Sequence, residues 1–191
     1  MPRRCSASTR GTCCAGWATA TTRSRAWRPT APWWWALATE RRVVLRPIGF
    51  VANGERGPRH DGWAEVVSRL VLQPELAAAL DGVEGFSHLL VLFWLDRVTR
   101  GQRWRLRVYP RDRRDLPEVG VLATRTQQRP NPIGATVVAL LGREGTTLVV
   151  RGLDALDGTP VLDVKPWAAD FGPTEGVRVP EWWERLRTAS P

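Results

Sequence analysis

The sequence predicts a mainly β protein: an antiparallel, barrel-like sheet of seven or eight strands with two short helices. Three observations point there. Apolar runs of strand length recur, separated by Gly, Pro and Asp clusters that favour turns. No regular alternation of strand and helix appears, which argues against a doubly wound sheet. One run, Leu89 to Leu95, is continuously apolar and short enough for a central strand buried on both faces.

The elements follow in order. Val43 to Val51 reads as a strand interrupted or bulged at Gly49. Residues 52–62 form a loop rich in Gly, Arg and Pro. Trp63 to Leu72 alternates in part and reads as a half-buried strand. Gln73 to Leu80 reads as a short helix, with Pro74 in its first turn and Gly82 just past its end. Gly85-Phe86-Ser87-His88 leads into the central strand. Ser87 and His88 are neighbours on a strand, so their side chains are expected on opposite faces and not as a catalytic pair.

Asp96-Arg97 ends the central strand. The stretch from Arg97 to Arg114 carries eight arginines against Asp96 and Asp112. Within it, Trp104 to Tyr109 alternates like an edge strand with a basic face. Such a face suits a phosphate backbone; it also suits an edge strand made charged against aggregation. Arg105 and Arg107 on that face, with Arg129 and Lys165, are the candidates for substrate contact. Val119 to Ala123 reads as a strand. Pro132–Leu141 and Thr146–Leu153 read as a hairpin across residues 142–145, and Val161 to Trp167 as a further strand. Pro180 opens a short helix that gathers Trp182, Trp183 and Leu186 on one face.

The stretch Ala123-Thr124-Arg125-Thr126-Gln127-Gln128-Arg129-Pro130-Asn131-Pro132-Ile133-Gly134 stands apart. Each proline fixes its own φ and pushes the residue before it out of the helical region. Arg129 and Asn131 are therefore held extended. The stretch is either a rigid connection or a ligand-facing loop.

The 191 residues carry a formal net charge of +9, unevenly placed. Residues 1–45 hold eight arginines and one acid, and the remainder is close to neutral. Cys5, Cys13 and Cys14 all lie in the first segment, so the rest relies on neither disulfides nor thiolate ligands. Two histidines, His60 and His88, with no cysteine nearby argue against a zinc site. No apolar run is long enough to span a bilayer, and no signal-peptide core is evident. A cytoplasmic location is the expectation, with neither metal nor membrane as partner. Residues 1–42 read as a disordered tail or a gene-start artefact, with the domain proper at 43–191. A basic arm for nucleic acid is the alternative. No dinucleotide, phosphate-loop or nucleophile-elbow motif is present.

Six ordered stretches resemble the TsaA-like domain of the TrmO tRNA methyltransferases. They are Arg46-Pro47-Ile48-Gly49, Pro58-Arg59, Gly85-Phe86-Ser87-His88-Leu89, Ala123-Thr124-Arg125, Arg129-Pro130-Asn131-Pro132-Ile133-Gly134 and the segment from Asp157 to Pro166. The resemblance implies a β-barrel enzyme, usually a homodimer, that uses S-adenosylmethionine. It implies methylation of N6 of threonylcarbamoyladenosine at position 37 of tRNA. The cofactor contacts it implies are Pro58, Arg59, His60, Asp96, Arg97, Arg125, Ala135, Asp157, Gly158, Thr159 and Pro160. The family often has glutamine in place of His60 and histidine in place of Asp96. Many bacterial members also continue into an extension expected to be missing here, so another RNA or a small molecule is an alternative methyl acceptor. A non-catalytic RNA-binding module is the reading from a different class.

The residues themselves suit such a ligand. Arg59, Arg97 or Arg125 can pair its carboxylate. Asp157 can accept ribose hydroxyls, and Gly158 allows close backbone approach. Asn131, set between prolines, can accept a hydrogen bond from the attacking amine as the catalytic residue.

Overall fold

A computed structural model describes residues 43–57, 59, 61–173 and 175–188. The expectations for residues 1–42, and those for Pro58 and His60, lie outside the described residues.

Six strands close into an antiparallel barrel in the order β1-β2-β7-β6-β3-β8. They are β1 (Gly49–Ala52), β2 (Val67–Leu72), β3 (His88–Trp94), β6 (Ile133–Glu144), β7 (Thr147–Arg151) and β8 (Pro160–Trp167). Closure comes from β1, which pairs with both β2 and β8. A separate two-stranded sheet joins β4 (Arg107–Val108) to β5 (Val119–Gly120). Two α-helices are described, α1 (Arg100–Arg103) and α2 (Glu181–Thr188).

The period-2 pattern sets the inside of the barrel. On β2, Ser68, Leu70 and Leu72 point in, while Val67, Arg69 and Val71 point out. On β3, Leu89, Val91 and Phe93 are buried. Val138, Leu148, Val150, Leu153 and Val161 complete the interior. Each such side chain contributes roughly 1.5–3 kcal/mol when fully buried.

Several expectations are corrected in detail. Residues 43–46 are exposed and form no strand; pairing begins at Gly49, after Pro47, which has no N–H to give to a ladder. Gly49 is not a bulge but a close-approach position: a Cβ there would lie 2.3 Å from the Val71 carbonyl oxygen. Residues Trp63–Glu65 make a 3-10 turn before β2. Pro74–Leu80 is helical, as expected, but of the 3-10 type. The central strand β3 is buried on its inner face and only half-buried on its outer face, because a barrel has one interior. Trp104 to Tyr109 yields only the two residues of β4. Upstream, Thr99 and Gln102 form a capping box that starts α1 instead. After β5, residues Val121–Ala123 turn as a 3-10 segment. Finally, Ser87 Oγ and His88 Nδ1 lie 2.9 Å apart. Ser87 precedes β3, so the alternation rule does not separate the two side chains.

Candidate functional site

Antiparallel closure brings the ends of β1, β3 and β7 and the starts of β2, β6 and β8 to one rim of the barrel. Four loops leave that rim: 53–62, 95–99, 124–132 and 152–159. Between them lies a cleft of about 1020 Å³. The size is at the upper end of ordinary ligand pockets.

The loops are fixed largely by side chains bonded to backbone. Asp157 Oδ1 accepts the amides of Asn53 at 2.9 Å and Gly54 at 3.1 Å. Those two N–H donors hold the Asp157 carboxyl below its ordinary range, with Arg56 and Arg97 adding to the effect. Asn53 also donates from Nδ2 to Ser68 Oγ and to the Ala155 carbonyl, both at 2.9 Å. Arg97 bridges two loops, with Nη1 to the Arg56 carbonyl at 3.0 Å and Nη2 to that of Asp157 at 2.8 Å. Arg129 Nη1 donates to the carbonyls of Thr124 at 2.7 Å and Val121 at 3.3 Å. Arg125 Nη2 donates to the Ala135 carbonyl. Arg59 sits 3.3 Å from Glu55 Oε1 and over the Trp63 ring, at 5.6 Å from its centroid.

The expected site residues divide on this geometry. Arg59, Asp96, Arg97, Arg125, Ala135 and Thr159 line the cleft, and so does Arg129. Asp157, Gly158 and Pro160 do not; Asp157 is engaged with the 53–54 turn, and Pro160 starts β8 opposite Phe50. Gly158 takes φ 79°, a turn conformation that glycine alone adopts freely. Asn131 is exposed and also outside the lining; its carbonyl accepts the Ile133 amide at 2.8 Å. Pro132 beside it is fully buried, and its carbonyl accepts the Leu95 amide at 2.8 Å. Lys165 pairs with Asp163 at 2.6 Å on β8, away from the lining. Arg107 is held by Glu118, at 3.2 Å to Oε2 and 2.8 Å to its carbonyl, and Arg105 is exposed; neither lines the cleft.

Some lining residues were not among the expected site residues. Asn53, which does not line the cleft but ties its loop to Asp157, Ser68 and Ala155, was missed as well, although its Asn-Gly pair marks a turn. Gln128 lines the cleft, and its Oε1 is buried with no hydrogen-bond partner among the described residues. Trp182, Trp183 and Leu186 of α2 also face the cleft.

Among the described residues, no cluster of three or more His, Cys, Asp or Glu side chains is placed to hold a metal ion. No described helix is long and apolar enough to cross a membrane.

Residues 52–172 match the family model of the tRNA-methyltransferase O N-terminal domain. The chain belongs to the TrmO family of S-adenosylmethionine-dependent methyltransferases. An S-adenosyl-L-methionine-binding protein of Archaeoglobus fulgidus is 39% identical over 133 residues, which are 68% of this chain and 92% of that one. The tRNA (adenine(37)-N6)-methyltransferase of Rattus norvegicus is 35% identical over 113 residues, 59% of this chain but 26% of its own. The crystal structure of TrmO from Pseudomonas aeruginosa superposes with a TM-score of 0.57 at 32% identity, covering 72% of this chain and 62% of that one. The chain thus spans under two thirds of that TrmO structure and about a quarter of the rat enzyme.

The lining fits the TrmO cofactor. S-adenosylmethionine carries a carboxylate, an ammonium, a ribose and an adenine. The cleft offers guanidinium donors, the Asp96 carboxylate, which has no partner among the described residues, the orphaned Gln128 oxygen, and apolar surface from Phe93, Leu95 and Ile133.

Proposed function

We propose that the protein is a tRNA methyltransferase that uses S-adenosylmethionine and methylates N6 of the adenosine at position 37, in its threonylcarbamoyl form. The observation that carries the reading is the convergence of Arg59, Asp96, Arg97, Arg125 and Thr159 on one cleft at the barrel rim. The name of the rat relative, 35% identical, supports the choice of acceptor. The reading includes a homodimer acting in the cytoplasm.

When bound, S-adenosylmethionine supplies an electrophilic methyl group on a sulfonium. The chain supplies binding and orientation. Arg59 and Arg125 each spend one terminal nitrogen within the protein and keep further donors for a carboxylate. Arg97 spends both terminal nitrogens on carbonyls, so its part is to hold the 56 and 157 loops at their spacing. Asp96 accepts from ligand hydroxyl or ammonium groups. Asn131, two residues before β6 proper, accepts from the amine that is methylated. Methyl transfer depends chiefly on alignment, and stiffened loops provide it.

A titration of the full chain with S-adenosylmethionine, followed by labelled methyl transfer to tRNA with and without the threonylcarbamoyl group, tests the reading. Binding plus transfer only to the modified tRNA is expected. Binding with transfer to some other RNA or a small molecule refutes the acceptor. Absence of binding refutes the enzyme and favours a non-catalytic RNA-binding module.

A further inference from the structure

Helix α2 (Glu181–Thr188) lies beyond residues 52–172, the segment that matches the family model. It nonetheless reaches the cleft, which Trp182, Trp183 and Leu186 line together with Arg125 and Thr159. An eight-residue helix is not stable through its own hydrogen bonds and needs something to pack against. Yet no α2 residue is buried. Its hold on the body includes Arg185, whose Nη2 lies 3.3 Å from the Asp115 carbonyl and 3.4 Å from its carboxylate. The two indoles meet edge to face, with centroids 5.6 Å apart and planes at 67°. That leaves half-buried aromatic faces against a cleft of about 1020 Å³.

Gln128 lines the same cleft, and its side-chain oxygen is a buried acceptor without a donor among the described residues. A buried acceptor left unpaired is costly. A ligand that satisfies both features has a flat aromatic face and an N–H donor at its edge. An aminopurine has both.

We propose that α2 is the aromatic wall of the cleft and that one of its two edge-to-face indoles, Trp182 or Trp183, stacks on the adenine ring of a bound ligand while the other meets the ring's edge. This rests on the methyltransferase reading above, in which both the cofactor and the acceptor nucleotide carry adenine. Indole faces stack bases with little regard for sequence, and each such contact is sizeable. The surrounding arginines then meet the charged parts of the ligand.

The test uses the full chain and two probes, S-adenosylhomocysteine and an anticodon stem-loop RNA with adenosine at the acceptor position. Binding is measured by calorimetry for the parent, W182A/W183A, W182F/W183F and R185A. The double alanine variant is expected to lose roughly 5- to 100-fold in affinity for one probe. The double phenylalanine variant lies between it and the parent, and R185A weakens the same probe. Loss for S-adenosylhomocysteine assigns the wall to the cofactor; loss for the RNA alone assigns it to the acceptor. Circular dichroism of the alanine variant should stay that of an intact barrel, since α2 buries nothing in the core. A parent that binds at least one probe, with no bound probe weakened in W182A/W183A, overturns the inference alone. Equal loss in the alanine and phenylalanine variants overturns stacking. A parent that binds neither probe overturns this inference and the methyltransferase reading together.

Discussion

Gly134 pairs with Phe93 across β6 and β3, and both line the cleft. In Gly134→Ala the new Cβ would lie 2.2 Å from Phe93 Cε2, 2.3 Å from Cζ and 2.7 Å from Cδ2. Carbon atoms pack best at about 3.5–4.0 Å, so the ring must recede by at least ~1 Å. Phe93 is 1% exposed and packed on its core side. The open space beside it is the cleft. Overpacking of this kind costs about 1–3 kcal/mol, and a fully buried ring belongs in the upper half of that range. For a domain of about 150 residues, 2–3 kcal/mol lowers Tm by about 4–12 °C. Ligand binding should weaken too, because the ring moves into the binding space. Thermal unfolding of Gly134→Ala, Phe93→Leu and the double variant checks the reasoning. Once the ring is gone, the alanine should cost under about 1 kcal/mol, leaving a coupling of 1 kcal/mol or more. Gly49 is the contrasting case. A Cβ there meets the Val71 carbonyl oxygen at 2.3 Å and Leu72 Cα at 2.8 Å, both backbone, so truncating a neighbouring side chain should not rescue Gly49→Ala. Additive effects of the Gly134 and Phe93 changes, or an unchanged Tm in Gly134→Ala, would refute the argument.

Other outcomes follow from the same contacts. Arg143, with a side chain only 16% exposed, donates to the carbonyls of Ala77 at 3.1 Å, Leu80 at 3.0 Å and Gly145 at 2.8 Å. Arg143→Ala should cost about 2–3 kcal/mol in urea unfolding, and Arg143→Lys should recover little of it, because one ammonium cannot reach all three acceptors. Asp157 has its folded carboxyl held low by the Asn53 and Gly54 amides. Its contribution to stability is therefore full above the unfolded carboxyl value, about pH 4, and is lost as pH falls through the lower folded value. Stability measured from pH 6 to pH 2 should decline less steeply in Asp157→Asn than in the parent; equal slopes would show that the pairing does not matter. Arg97→Ala releases the carbonyls of Arg56 and Asp157 and should weaken S-adenosylmethionine binding at least about tenfold by calorimetry.

Much of the barrel was legible because alternation is a local signal. Leu70 and Leu72 on β2 alternate with Arg69 and Val71 in the sequence itself, whereas the unbroken apolar run of β3 points to burial on both faces, and only barrel closure makes Leu89, Val91 and Phe93 the inner one. Strand order was not legible: β3 lies between β6 and β8, partners tens of residues away, and no local pattern encodes that choice. Short elements misled for a related reason. Trp104 to Tyr109 alternates, but the Thr99 capping box and the two-residue pairing with β5 decide its course. At the site, the stretch from Ala123 to Gly134 does supply much of the lining. Its arginines illustrate the limit of reading chemistry from residue type. Sequence shows that Arg129 can donate to a ligand. It does not show that Thr124 and Val121 offer carbonyls nearer at hand. Asp157 is the acidic counterpart, with two neighbouring amides already on its oxygen.

The chain has a single lysine against twenty-seven arginines, and Arg97, Arg125, Arg129 and Arg143 all act as staples on carbonyl oxygens. A lysine staple is a single point of charge on a flexible stem, whereas a guanidinium is a planar fork whose donors reach two carbonyls at once. Three of these forks, Arg97, Arg125 and Arg129, fasten the loops around the cleft. Amine-directed reagents have one side-chain target among the cations, Lys165, which does not line the cleft. Dicarbonyl reagents that attack guanidinium should instead unpick the rim itself, loop by loop, while the barrel interior, which holds no arginine, stays closed.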